Sequence, residues 1–558
     1  MDFKKSVVGL RDKFATILFS VGLSAVIILG KHIHLTDQVY QGTGNTIDSY
    51  HRYDLAEGLL FACCIYIGIL LCERMIKKRP IEIKGVSGER IPLGKITVSS
   101  IVLMLLWSPY LYVYYPGFIF GDSTANIAQA LGQQPLTNHH PVAYVLFIRL
   151  CLRLGQHLGG LTMGLAIYSV IQMGIMALGI GLMVQWIRTR FRLNRWLTWL
   201  MLVVFGCSPY IAQYSIAIWK DPIFSVTIVC VTILLFDILY VETDKKQNII
   251  RNILLLISVL VMIFSRNNGF YIAIAIVCLS VFLLFRKMTR QKGIQILVIC
   301  LIVMIASKFI TGPVYDAYGI VKDDEKAESY GIFLAQMARV VVENGELSAE
   351  DSDYMGRLLP MEEYQSAYTP CLVDNLKWNP NFQKEVLEDG FFRTYLSILR
   401  KNPRICFEAW ELQTFGFWSV NQKWVNGFTG NILNGVPRNI YPEYGMGVEG
   451  IETKLVDNNS FLTKMFPYTA RCIPIGYIHW LLIGVALFAL LRLDFRRLTV
   501  LAPALGLMAT LILASPISYW PRYGLAQQLL LPLFIVMIFL REGEHQNGQN
   551  CSFNTLLQ

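Results

Sequence analysis

Long apolar blocks alternate with short polar stretches along most of this chain. The blocks near 14–30, 55–75, 96–115, 161–186, 196–216, 222–240, 252–266, 268–285, 293–311, 473–491, 497–514 and 523–540 predict spanning helices. Several fall slightly short of the ~20 residues that cross a bilayer. The run 141–154 is apolar but shorter still, so it predicts a helix lying in the outer interface or dipping into it. Arg149 and Arg153, one helical turn apart, would share its polar edge. One long polar stretch, 312–472, interrupts the series. Apolar residues spaced by three and four in 328–346 and 391–403 predict helices there, the second stopping at Pro403.

The fold class that follows is an all-α polytopic membrane protein. It has about 12 transmembrane helices, an interfacial helix and a mainly helical extracytoplasmic domain. The expected divisions are an N-terminal helical pair with a basic cytoplasmic loop (1–95), a transmembrane core with outer loops (96–311), the extracytoplasmic domain (312–472), C-terminal transmembrane helices (473–541) and a cytoplasmic tail (542–558). The run 14–30 lacks a small-residue cleavage site and is read as an anchor.

Composition agrees with the pattern. Of 558 residues, 54% are hydrophobic and 16% charged, where a soluble domain carries about 25% charged residues. Mean hydropathy is +0.46. These values exclude a soluble multidomain enzyme, a disordered chain and a disulfide scaffold. The formal charge of +10 points away from nucleic acid once the basic residues are located. Counting alternate segments from the N-terminus and leaving out the long stretch 312–472, because long loops cross regardless of charge, 26 Lys and Arg fall on one side, and 8 fall on the other or within membrane runs. That asymmetry sets both termini in the cytoplasm. The 312–472 stretch, with 22 acidic and 15 basic residues, then lies outside. Cys63, Cys64, Cys207, Cys230, Cys278 and Cys300 lie in apolar runs as small hydrophobes, and no CxxC or Cys/His metal spacing occurs.

The polar chemistry collects in the outer loops. Asp122, in GDS, is the only carboxylate between Glu89 and Asp221. Taken alone it suits a helix cap first, and a general base or a metal ligand second. His139 and His140 precede Pro141. They could orient an acceptor or bind phosphate, or be loop residues without a role; neighbouring histidines suit a shared metal poorly. Lys220, Asp221 and Pro222 mark a helix start, where Asp221 could cap and Lys220 could snorkel. SRNNGF brings Arg266, Asn267 and Asn268 into a tight hairpin, where Arg266 could grip a lipid phosphate or simply pair with carbonyls or headgroups. The last outer loop offers Tyr519, Trp520, Arg522 and Tyr523: an interfacial belt, with Arg522 a candidate for stabilising phosphate. Trp378, Trp410, Trp418 and Trp424 are core packing first and sugar-stacking surfaces second. The chain has no Walker A, GxSxG, HExxH or Rossmann fingerprint.

Taken in order, YPGFIFGDS, NHHPVAYVLF, WKDPIFS, SRNNGFY, NPRICFEAWELQTFGFW and PRYGLAQQLLLPLF resemble a bacterial family of largely uncharacterised multi-pass proteins of the GT-C class of membrane glycosyltransferases. The matching pieces span about residues 110–540. The resemblance implies transfer of a sugar from a polyprenyl-phosphate carrier to a glycan, lipid or protein acceptor, on the outer face of the bacterial cytoplasmic membrane. It implies Asp122 as catalytic base or metal-site residue and Asp221 as a second acid. His139 and His140 would join them, with Lys220, Arg266, Asn267, Asn268, Arg522 and Tyr523 binding substrate. A divalent cation, Mg or Mn, is the cofactor it allows, at Asp122 and Asp221. The first loop departs from the family in lacking a DxD or ExD pair, which argues against a firmly held metal. The alternative is a secondary transporter or lipid flippase, against which stands the scarcity of ionisable residues within the spans.

Overall fold

The computed structural model describes residues 2–34, 46–77, 81–82, 89–119, 121–322, 325–421, 473–514 and 521–541. Its first twelve long elements are α1 (Asp2–Lys31), α2 (Arg52–Lys77), α3 (Leu93–Val113), α4 (Gly121–Leu131), α5 (Val142–Leu158), α6 (Leu161–Phe191), α7 (Arg195–Gly206), α8 (Pro209–Ile216), α9 (Asp221–Tyr240), α10 (Lys245–Ser265), α11 (Asn268–Val281) and α12 (Arg290–Phe309). Among the described residues, ten helices are long and apolar enough to cross a membrane. The two other expected spans differ in form. Residues 196–216 become α7 and α8, bent by 62°. Residues 473–491 become a helix of 17 residues, Ile475–Leu491.

The bend has a local cause. The Ser208 side chain accepts a hydrogen bond from Ile211 N, and Pro209 opens the next helix, so α8 starts afresh rather than continuing α7. In contrast, α12 runs on through a π turn, and the spanning helix extends to Ala317, past the expected boundary at 311.

The short run after His140 forms α5, which buries Val142, Tyr144, Val145, Ile148, Cys151 and Leu152 and leaves Leu146, Leu150, Leu154 and Leu158 exposed. Its return into α6 is tight. A Cβ on Gly155 would run into the backbone of Gly164, so the two helices touch main chain to main chain. Arg149 does not share an outer edge with Arg153. It folds onto the end of α4, donating to Gln129 O and Ala130 O at 3.0 and 2.9 Å. A cation there satisfies open carbonyls and the negative end of the helix dipole.

The polar stretch contains α13 (Gly331–Val342), α14 (Ala349–Leu358), α15 (Phe391–Lys401) and α16 (Pro403–Trp418). Ser348 and Asp351 form a reciprocal capping box at the start of α14. Leu334, Met337, Tyr354, Met355, Leu358, Phe391 and Ile398 belong to a core of its own. α16 leads back to the bundle, where Trp410 Nε1 donates to Ile512 O at 3.2 Å and Phe417 joins the main core. The chain ends in α17 (Ile475–Leu491), α18 (Phe495–Ala514) and α19 (Leu525–Phe539).

The end of the bundle rich in Lys and Arg is stapled by ion pairs. Asp237 accepts two bonds from Arg190 at 2.8 and 2.6 Å and one from Trp186 Nε1 at 2.9 Å, tying α6 to α9. Arg492 holds Asp12 through two bonds at 2.7 and 2.8 Å. The opposite end carries the residues singled out above.

Candidate active site at one end of the bundle

Two loops distant in sequence are locked together before any charged group enters. Phe118 N donates to Ile216 O at 3.1 Å, and Ile218 N donates to Phe118 O at 2.9 Å. This short bridge sets α4 beside the start of α9. Gly117 (φ +138°) permits it, because a Cβ there would collide with Ser169 Oγ and Ile216 O. The unwound backbone after α8 stays satisfied through Gln172 of α6, whose Nε2 donates to Ser215 O at 3.2 Å and Ala217 O at 2.5 Å. Ser123 Oγ donates to Ile218 O at 2.6 Å, which fixes the first turn of α4.

Asp122 then faces α19. Arg522 donates from Nη1 to Asp122 Oδ2 at 3.0 Å and from Nη2 to Tyr523 Oη at 3.1 Å. Its guanidinium lies over the rings of Trp219, at 4.6 Å, and Tyr523, at 4.9 Å. Stacking and the planar fork hold this cation in one orientation. Arg266, closing α10, pairs with Asp221 and lies over the other aromatic partner, Tyr523, at 4.6 Å. Asp221 is buried, with 1% of its side chain exposed, whereas Asp122 keeps 39%. Asp122 is therefore the carboxylate that a ligand can reach.

Lys220 completes the group. Its Nζ lies 2.7 Å from His140 Nδ1. A lysine ammonium can only donate, so His140 accepts at Nδ1 and carries its own proton on Nε2. Burial and the neighbouring Lys220 push the His140 imidazolium well below its usual range. Burial also brings the Lys220 ammonium down to about 8, against the pull of Asp122. Burial works to raise the Asp122 carboxyl, but the charges of Arg522 and Lys220 outweigh it and hold it well below the ordinary carboxylate range. With His140 neutral, these described groups comprise three cations and two carboxylates, an excess of one positive charge.

The remaining expected residues stand apart. His139 meets His140 edge to face at 4.6 Å and turns towards Trp378 of the polar segment, 6.5 Å away. Asn268 donates to Thr510 Oγ1 at 3.2 Å, tying α11 to α18, and Asn267 is exposed. Trp410 and Trp418 stack on one another at 6.1 Å. Trp424, Tyr519 and Trp520 lie outside the described residues. Trp219 was not singled out from the sequence, although it sits beside Lys220. Nor was Asp374, which repels Asp122 across the site from a short helical turn of the polar segment. Burial raises the Asp374 carboxyl, while Lys377, 2.8 Å away, works to lower it.

No group of three His, Cys, Asp or Glu side chains among the described residues is arranged to hold a metal ion. Asp122 and Asp221 are each taken by a guanidinium. As arranged, the pair expected to hold Mg or Mn does not form a cation site.

Fold and site together define a class: an all-helical polytopic membrane protein with a cationic, carboxylate-bearing site at one end of its bundle. The chain belongs to a family of unknown function (DUF6020), which matches residues 132–434, more than half its length. No curated protein and no solved structure matches it.

Proposed function

We propose that this protein is a membrane glycosyltransferase that moves a sugar from a polyprenyl-phosphate carrier to an acceptor on the outer face of the cell membrane. The observation that carries this reading is the meeting of Asp122 with Arg522, beside Lys220, Arg266 and Asp221, with one positive charge in excess. A phosphodiester linking lipid to sugar bears one negative charge and matches that excess. Its phosphate is held by Arg266, Arg522 and Lys220, while the apolar tail lies among the helices. The acceptor hydroxyl approaches the open side of Asp122 and attacks the anomeric carbon. Asp122 takes the hydroxyl proton, the bond from that carbon to the phosphate oxygen breaks, and the lipid phosphate leaves with the electron pair. Fixed cations help most at this point, because the phosphate gains charge in an oxocarbenium-like transition state. Arg522 keeps Asp122 ionised. The polar segment, with Asp374 and Trp378 near the site, selects the acceptor.

The test is transfer of labelled sugar from a polyprenyl phosphosugar in detergent, without a membrane gradient. Turnover that is lost in Asp122→Asn supports the reading; turnover that persists undiminished in that variant removes Asp122 from it. A second reading, a transporter or lipid flippase, draws on the break between α7 and α8. Broken helices with polar centres line transport sites, and Gln213 in α8 is buried with both amide atoms unpartnered among the described residues. Movement of lipid or solute across vesicles without sugar transfer would favour it.

A further inference from the structure

One turn beyond Asp122 on α4, Asn126 is 2% exposed. Its Nδ2 donates to Asp122 O at 2.6 Å. A carbonyl cannot donate, so the amide cannot be turned the other way round, and Oδ1 is the atom left over. Asn126 Oδ1 is buried and has no hydrogen-bond partner among the described residues. Leaving a buried acceptor unmatched costs about 1–3 kcal/mol. A sequence that needed only packing here would place an apolar side chain of similar shape.

The surroundings define what this acceptor can meet. Tyr144 on α5 is 5% exposed, and Tyr168, Asp221 and Asp122 form its electrostatic surroundings. Burial raises the Tyr144 phenol far above its usual range, so it stays a neutral hydroxyl. Lys220 immediately precedes α9, Arg266 caps the end of α10 and Arg522 lies in the turn before α19. α4 and α5 thus bring a fixed amide acceptor, Asn126, and a neutral phenol, Tyr144, into the surroundings of Asp122. That chemistry suits hydroxyls rather than phosphate. Asn126 is also the enclosed neighbour of the accessible Asp122 residue.

We propose that Asn126 is a substrate-positioning residue whose Oδ1 accepts a hydrogen bond from a hydroxyl of the sugar on the donor lipid. This rests on the carrier-lipid reading above and adds to it a place for the sugar. The ring would sit against α4 and α5, with its phosphate directed to Arg522 and Arg266. A hydroxyl of the bound donor would meet this acceptor, so the site prefers the glycosylated lipid to the bare carrier phosphate.

The experiment compares binding of undecaprenyl phosphate with its glucosyl, mannosyl, N-acetylglucosaminyl and arabinosyl phosphodiesters. Full-length wild type, Asn126→Leu and Asn126→Ala are measured in detergent, with melting of each empty protein recorded in parallel. Wild type should bind at least one sugar-bearing lipid more tightly than undecaprenyl phosphate. Asn126→Leu should keep its affinity for undecaprenyl phosphate and lose on the order of tenfold of that preference. Its empty form should melt no lower than wild type, because an unmatched acceptor has been replaced by an apolar group of similar shape; a role in packing alone predicts the opposite. Asn126→Ala is read in the same way if the leucine variant does not fold. A preference that survives both substitutions, or a wild type that binds all five lipids alike, overturns the proposal. A wild type that binds none of them rejects the carrier-lipid reading itself, and this inference with it.

Discussion

Arg522 and Asp122, 400 positions apart in the chain, meet at 3.0 Å with the guanidinium laid over Trp219. The pair joins the first loop of the core to the last spanning helix. It divides labour between a cation fixed by aromatic faces and a carboxylate left accessible.

If Asp122 is the base, Asp122→Asn should lower turnover on the order of 10²–10⁴-fold and leave carrier-lipid binding nearly unchanged. Arg522→Gln should instead weaken binding of undecaprenyl phosphate itself. Equilibrium binding and sugar transfer measured on the same preparations separate the two effects, and equal loss of binding in both variants would contradict the division.

Lys220 gives the site a pH dependence. Burial brings its ammonium down to about 8, so the empty protein sheds this proton at a lower pH than a free lysine does. A phosphate binds the protonated form, so carrier-lipid affinity should hold below about pH 8 and decline above it. Lys220→Arg keeps the charge at all these pH values and should flatten the decline. Titration of undecaprenyl phosphate binding from pH 6 to 10 in both proteins checks this.

The bridge between the two loops depends on Gly117. Gly117→Ala places a Cβ against Ser169 Oγ and Ile216 O at a φ that alanine rarely adopts. The expected cost is on the order of 1–3 kcal/mol. A lowered melting temperature, with loss of binding out of proportion to the loss of folded protein, should follow.

At the other end, Asp237 and Arg190 are both under 10% exposed. Removing one partner leaves a buried charge uncompensated, so Asp237→Leu alone should destabilise by about 3–5 kcal/mol. The double variant Arg190→Met with Asp237→Leu should recover most of this in thermal melts. No recovery would mean that Arg251, 3.7 Å from Asp237, is the partner that matters.

The elements that sequence pattern foretold are those governed by neighbours along the chain. Long apolar runs gave helices at ten of the twelve expected spans as single elements, because each satisfies its own backbone. The other two differ in form, one a bent pair of helices and one a helix of 17 residues. The cap at Ser208 and Pro209 is visible in the sequence, but its effect depends on Gln172 answering the freed carbonyls from another helix. Asp122, Asp221, Lys220, His140, Arg266 and Arg522 were each noticed because charge is conspicuous in an apolar chain. Asn126, Trp219 and Asp374 were not, because an amide, an indole or one acid among many is unremarkable until its surroundings are known.

The sequence alone determined the helices, their alternation and the polar chemistry confined to alternate loops, since hydropathy and charge act on each segment separately. Only the tertiary structure decided which charges pair, which carboxylate stays accessible and which amide is left unmatched. Those properties belong to residues brought within a few ångströms from opposite ends of the chain, and distance in space is not written in distance along it.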